Sequence, residues 1–134
     1  MTGEDQVRLS ELRTGRQVLE NHLKDPAFRE EWERTALARA VAIRLVRYRV
    51  DHGLSQTGLA KLLGMKQPAV SRLEDGETNP TFETLIRISQ ALGIEFLLDV
   101  APNGHRALAG KRAEKAAVVQ SFTSGGSSVL VAIE

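Results

Sequence analysis

The run from Leu54 to Gly76, LSQTGLAKLLGMKQPAVSRLEDG, constrains this chain more than any other stretch, because it sorts apolar from polar positions twice over within a few turns. Ser55 is suited to cap a helix, since its hydroxyl accepts a free backbone N–H of the first turn. Leu59, Leu62 and Leu63 follow at helical spacing and make one apolar side, with Ala60 beside them small enough for another helix to cross closely. Gly64 stands where the chain must turn sharply, a job glycine does without steric cost. A second helix starts near Lys66 and tolerates Pro68 in its first turn. Val70 and Leu73 point inward, Lys66, Gln67, Ser71 and Arg72 are left outside, and Gly76 closes the helix.

That outside face carries the functional signal. Gln, Lys, Ser and Arg hydrogen-bond base edges and phosphates, whereas a plain surface helix more often carries Glu and Lys in i, i+4 pairs. The pattern LSQ..LA..LG...P.VSRLE.G resembles the helix-turn-helix of the lambda and 434 repressor superfamily, the XRE or Cro/C1 type. The resemblance implies that the second motif helix lies in the major groove, with its N-terminal half against the bases. It places Ser55 and Gln56 at the start of the first motif helix, where the superfamily's glutamine bonds a phosphate. Gln67 then stands to read adenine, Lys66 to take a guanine edge or a phosphate, and Arg72, with Ser71 one turn further in, to read guanine. Pro68 occupies a position where some relatives carry a second polar reader, so readout beside it is apolar or shape-based. Gly58 departs from the glutamate that completes a capping box in many relatives. Arg49 and Glu74 occupy the positions of an arginine–glutamate ion pair that braces the superfamily's first helix against the third, a structural role. Such proteins bind as two-fold dimers to half-sites about one DNA turn apart, so a homodimer on double-stranded operator DNA is expected.

Charge is distributed to match. The formal net charge of the 134 residues is only +1. Residues 1–35 hold eight acids against six bases, 36–93 eight bases against five acids, and 94–134 four of each. A basic middle behind an acidic front suits a DNA-facing core with a second, differently charged surface. The chain has no cysteine, no basic-then-apolar leader and no apolar run approaching a membrane span, so a cytoplasmic protein is expected. An enzyme is not. His22, His52 and His105 are scattered, no spacing suggests a metal or cofactor site, and Ala109-Gly110 lacks the downstream lysine of self-cleaving repressors.

The fold expected is mostly α, a lambda-repressor-like bundle with an N-terminal helical extension and one or two short C-terminal strands. Residues 1–35 form the extension. Val7, Leu12, Leu19 and Leu23 suggest two short helices or one frayed helix around Gly15, and a further helix begins at Asp25-Pro26. That helix carries Phe28 and Trp32 on one face, either as ordinary packing or as an aromatic anchor for a partner protein. Residues 36–93 form the DNA-binding domain, with helices over 36–52, 55–63, 66–75 and 81–92. In the first of these, Val41, Leu45 and Tyr48 make one stripe, and Ile43, Val46 and Val50 make a second that needs its own cover. The superfamily usually continues with another helix, but residues 94–101 alternate as a strand, with Ile94, Phe96, Leu98 and Val100 on one face and Glu95 and Asp99 opposite. This strand is a candidate dimer seam. In the tail, 102–134, the spacing permits a helix over Ala107–Phe122 with a basic side of Arg106, Lys111, Arg112 and Lys115, then a turn through Gly125-Gly126 and a strand over 129–133. The two strands pair with each other, or each pairs with its symmetry mate.

The wider arrangement resembles HigA-type antitoxins of type II toxin–antitoxin modules over about residues 17–101, through Lys24-Asp25-Pro26-Ala27-Phe28, a nearby aromatic, a long helix leading into LSQ, and a strand after the fourth core helix. That resemblance implies a protein that neutralises a small basic RelE/HigB-like ribonuclease toxin and represses its own operon, with the acidic N-terminal segment as the dock. The alternative is a stand-alone XRE-family transcriptional repressor.

Overall fold

The computed structural model describes residues 15–102, 116, 118–124 and 127–134. The expected helical positions Val7 and Leu12, the basic side of the tail, Ala109-Gly110 and the Gly125-Gly126 turn lie outside these residues. The chain divides into two units, 1–32 and 33–134. The first holds α1, Gly15–His22, and most of α2, Pro26–Arg34. Asp25 starts α2 by accepting the amide of Ala27 at 3.0 Å, and the rings of His22, Phe28 and Trp32 follow one another at centroid distances of 5.1 and 6.0 Å.

The second unit contains α3, Ala36–Asp51; α4, Gln56–Leu63; α5, Gln67–Asp75; α6, Phe82–Leu92; and the strands β1, Phe96–Pro102, β2, Val118–Ser124, and β3, Ser127–Ile133. Ser55 caps α4 by accepting the amide of Gly58, and Thr81 caps α6 by accepting that of Thr84. Gly64 turns α4 into α5 at φ 64°, in the left-handed region. The core draws on every helix of the unit: Val41 and Leu45 of α3, Leu59 and Leu63 of α4, Val70 of α5, Leu85 and Ile88 of α6. Each such side chain, fully buried, stabilises by about 1.5–3 kcal/mol. Leu62 is not among them. It is 50% exposed, because the α4 stripe that faces the core is narrow enough to be filled by Leu59, Ala60 and Leu63.

α3 begins with a run of small residues, Ala36, Ala38, Ala40 and Ala42, and all four are buried. Their size lets the end of α5 come close: a Cβ built on Gly76 would lie 3.4 Å from the Ala42 Cβ, and Gly76 itself sits at φ 68°. Thr35 makes no side-chain cap for α3. That role falls to Asn79, 41 residues away, whose Oδ1 accepts the Ala38 amide at 3.0 Å while its Nδ2 donates to the Arg34 carbonyl at 2.8 Å. Replacing Asn79 by Ala leaves both groups without this partner, and urea denaturation is expected to show a loss of about 1–2 kcal/mol.

The strands form one antiparallel sheet of order β1-β3-β2. Pairing of the 94–101 strand with the last strand inside one chain settles the choice left open by the sequence. Val118–Phe122 belong to β2, so the helix expected to run to Phe122 does not include them. Extended Val-Val-Gln-Ser-Phe-Thr is rich in β-branched and aromatic residues, and its full register with β3 supplies every residue of 118–124 with a cross-strand partner. Val131 and Ile133 enter the helical core beside Ile94. Of their β1 partners on the same face, Phe96 packs half-buried against that core and Leu98 lies beyond it. Leu98 is 41% and Val100 69% exposed, whereas Asp99 on the other face is buried, the reverse of what hydropathy alternation alone suggests. No helix among the described residues is long and apolar enough to cross a membrane, and no group of His, Asp or Glu among them is placed to hold a metal ion.

Candidate nucleic-acid interface

α5 is the second helix of the motif, and its first turn is presented to solvent. Lys66 is its N-cap, with extended backbone at φ −82° and ψ 148°, followed by Gln67 and Pro68. Proline is well accommodated there, since the first-turn amides of a helix have no intrahelical acceptor to lose. Lys66, Gln67, Pro68 and Arg72 are exposed and Ser71 is half-buried. Among the described residues the side chains of Lys66 and Arg72 have no hydrogen-bond or ion-pair partner, so two cations stand available on one helix. Ser55 spends its hydroxyl on the α4 cap, and the first amides of α4 next to it have no intrahelical acceptor.

Behind this row lies a chain of four polar side chains drawn from three helices. Arg49 Nε donates to Glu74 Oε1 at 2.6 Å, and Gln56 Nε2 donates to Glu74 Oε2, also at 2.6 Å. Gln67 Nε2 in turn donates to Gln56 Oε1 at 2.8 Å. The buried end is the carboxylate: the Glu74 side chain is 5% exposed and that of Arg49 25%. Arg49 also donates through Nη1 to the Leu54 carbonyl at 3.3 Å, which ties the end of α3 to the entry of α4. Both carboxylate oxygens are therefore satisfied, one by a guanidinium and one by an amide, as a nearly buried charge requires.

Sequence reasoning put Gln56 and Gln67 on the DNA face separately; the structure joins them to each other and to the Arg49–Glu74 pair. Residue type hinted at it, because two glutamines at the starts of consecutive motif helices can meet across the turn. Two bracing groups were missed. Arg87 of α6 donates to the Gly64 carbonyl at 3.1 Å and so props the turn between α4 and α5. Asn79, which caps α3 from a distant loop, is the second. Phe28 and Trp32 lie in the other unit, both half-buried.

Comparison with known proteins agrees with this geometry. The helix-turn-helix family model matches residues 45–98, from within α3 to the first residues of β1. An uncharacterised HTH-type transcriptional regulator of Haemophilus influenzae is 39% identical over 74 residues, spanning 54% of this chain and 76% of that protein. The antitoxin HipB of Escherichia coli is 35% identical over 77 residues, 58% of this chain and 83% of that protein. The antitoxin HigA1 of Mycobacterium tuberculosis is 34% identical over 89 residues, 61% of this chain and 60% of that protein.

Proposed function

From the premise that the chain belongs to the helix-turn-helix family of transcriptional regulators, of the XRE type, we propose that it binds operator DNA as a dimer through α5, represses its own operon, and neutralises a small basic ribonuclease toxin. The observation that carries the DNA-reading part is the exposed row Lys66, Gln67 and Arg72 on a helix whose inner side is anchored by a buried ion pair. In this reading α5 enters the major groove, Gln67 reads adenine, Arg72 reads guanine, and Ser55 and Gln56 bring the α4 N-terminus to a phosphate. Ser71 lines the same face, and Pro68 offers an apolar contact.

In the same reading the dimer forms through β1. Among the described residues β1 has a neighbour on one side only, and it is flanked by the apolar side chains of Leu98 and Val100. Phe82 and Ile86 of α6 extend that surface, and a groove of about 400 Å³ lined by Phe82, Ile86, Phe96 and Leu98 joins them. An edge of this kind is self-complementary about a two-fold axis, which the half-site geometry of operators calls for. The toxin-binding part is supported by the likeness to HigA1 and HipB, and by the acidic first 35 residues carrying Phe28 and Trp32. The second reading is a stand-alone repressor, in keeping with the likeness to the HTH-type transcriptional regulator of Haemophilus influenzae.

Fluorescence anisotropy on the DNA upstream of the gene tests the first part. Arg72→Ala is expected to weaken binding about tenfold or more and to relax one base position. Lys66→Ala is expected to weaken all sequences equally and to lower the salt slope by about one if Lys66 meets a phosphate. An unchanged affinity in both variants excludes α5 as the reading helix. Affinity purification of the tagged protein from its own cells tests the second part: a stoichiometric small basic protein in the eluate supports the antitoxin reading, and the dimer alone supports the stand-alone repressor.

A further inference from the structure

Between α5, the loop after Gly76 and the start of α6 lies a cavity of about 310 Å³, at the small end of the range that ligand pockets occupy. Its floor is apolar. Met65, Leu73 and Pro80 line it and are half-buried, and Met65 and Leu73 are backed by the helical core. Its rim carries charge: Arg72, Asp75 and Glu77 line it and are exposed. Arg72 and Asp75 stand three residues apart on α5, a spacing at which opposite charges on a helix commonly pair. Here they do not. Among the described residues none of these three side chains makes a hydrogen bond or an ion pair, so one cationic and two acidic groups stand unspent around a single apolar depression.

We propose that this cavity binds a free α-amino acid with a bulky apolar side chain. The ligand's carboxylate accepts from the Arg72 guanidinium, its ammonium donates to Asp75 and Glu77, and its side chain lies on Met65, Leu73 and Pro80. An apolar acid would set its own carboxylate beside two others, and an apolar amine would set a second cation beside Arg72. A zwitterion uses every part of the rim. The two charged groups of an α-amino acid stem from one carbon, and residues three apart on a helix have Cβ atoms about 5–6 Å apart, so both separations are short. An occupant that draws Arg72 to its carboxylate also takes that side chain from DNA. Resting on the DNA-reading function above, the ligand is therefore an inducer: it lowers operator affinity, and the operator lowers ligand affinity by the same factor.

Isothermal titration calorimetry on the full chain tests the site without DNA. The probes are L-leucine, L-methionine and L-phenylalanine, followed by the amine and the carboxylic acid that each lack one charged group of the tightest of these. At least one amino acid is expected to bind with Kd below about 1 mM, and each of its two analogues about tenfold or more weakly. Arg72→Ala is expected to weaken the amino acid about tenfold or more and leave the amine unchanged, and Asp75→Asn with Glu77→Gln to weaken the amino acid equally and leave the acid unchanged. All three side chains are exposed, so these variants are expected to stay folded. Binding of none of the three amino acids up to about 10 mM, or binding that every variant keeps in full, overturns the site. Binding of either analogue as tight as that of the amino acid overturns the ligand class. Fluorescence anisotropy on the operator then reads the consequence. Saturating amino acid is expected to weaken operator binding about fivefold or more, an effect that Asp75→Asn with Glu77→Gln moves to about tenfold higher ligand concentration. Unchanged operator affinity at saturation overturns the inducer role. A full chain that binds the amino acid but no operator overturns the DNA reading and leaves the site standing.

Discussion

Replacing Arg49 by Met is expected to cost about 3–5 kcal/mol of folding stability, since it strands the buried Glu74 carboxylate with Gln56 as its remaining donor among the described residues. Against a typical total of about 5–15 kcal/mol, that loss lowers the midpoint of thermal unfolding by about 10 °C or more. The reverse change, Glu74→Met, is expected to cost less. Arg49 is the more exposed partner, at 25%, and retains its bond to the Leu54 carbonyl. Replacing both residues by Met removes the charges together and is expected to recover most of the loss, because two well-packed apolar groups carry no desolvation penalty. Circular dichroism followed through urea denaturation measures all three variants. A loss under about 1 kcal/mol for Arg49→Met would class the pair with ordinary surface ion pairs and overturn its bracing role.

The second large effect concerns association. With the β1 seam proposed above, Leu98→Lys combined with Val100→Lys is expected to convert the proposed dimer to a monomer and to weaken the proposed operator binding about a hundredfold or more, by making the second half-site an independent event. Both side chains are already well exposed, so the monomer's own fold is expected to survive. Lysine on an edge strand disfavours pairing with another strand, and its charge repels its own copy across a two-fold axis. Sedimentation velocity reads the mass and anisotropy reads the affinity. A dimer persisting at micromolar concentration with unchanged operator affinity would move the seam away from β1 and toward the N-terminal unit.

How far the sequence discloses this molecule depends on the range of the interaction involved. Local chemistry is legible. Ser55, Thr81, Gly64 and Gly76 mark helix ends through one-turn effects, and all four stand at those ends. The pairing of Arg49 with Glu74 follows from motif position, and the two are 2.6 Å apart. What escapes is set by partners distant in sequence. Nothing near Asn79 announces that its amide caps a helix 41 residues away. Nothing within 118–122 separates an extended run from the end of an amphipathic helix until β3 is there to pair with it. The alternation in 94–100 identifies a strand but not which face is covered, because Leu98 and Val100 lie past the edge of the helical core that buries Ile94. At the interface, residue types locate the row on α5, while the order of donors and acceptors along Gln56 and Gln67 emerges only from three-dimensional contact with Glu74.

The sheet order has a kinetic consequence. β3 is the last of the three strands in sequence and the middle one in space, and β1 and β2 do not pair with each other. The helices from α3 to α6 can assemble from contacts between near neighbours, the class of contact that forms in microseconds to milliseconds. β1 must wait until the chain has closed a loop of roughly thirty residues, a step whose entropy cost is met before any ladder bond is gained. Through that interval β1 has two open edges instead of one, and the places of Val131 and Ile133 in the core stand empty. Folding of this unit therefore runs at two tempos, a fast helical one and a slower one set by arrival of the final strand. During the gap between them a second nascent copy competes with β3 for the same edge of β1.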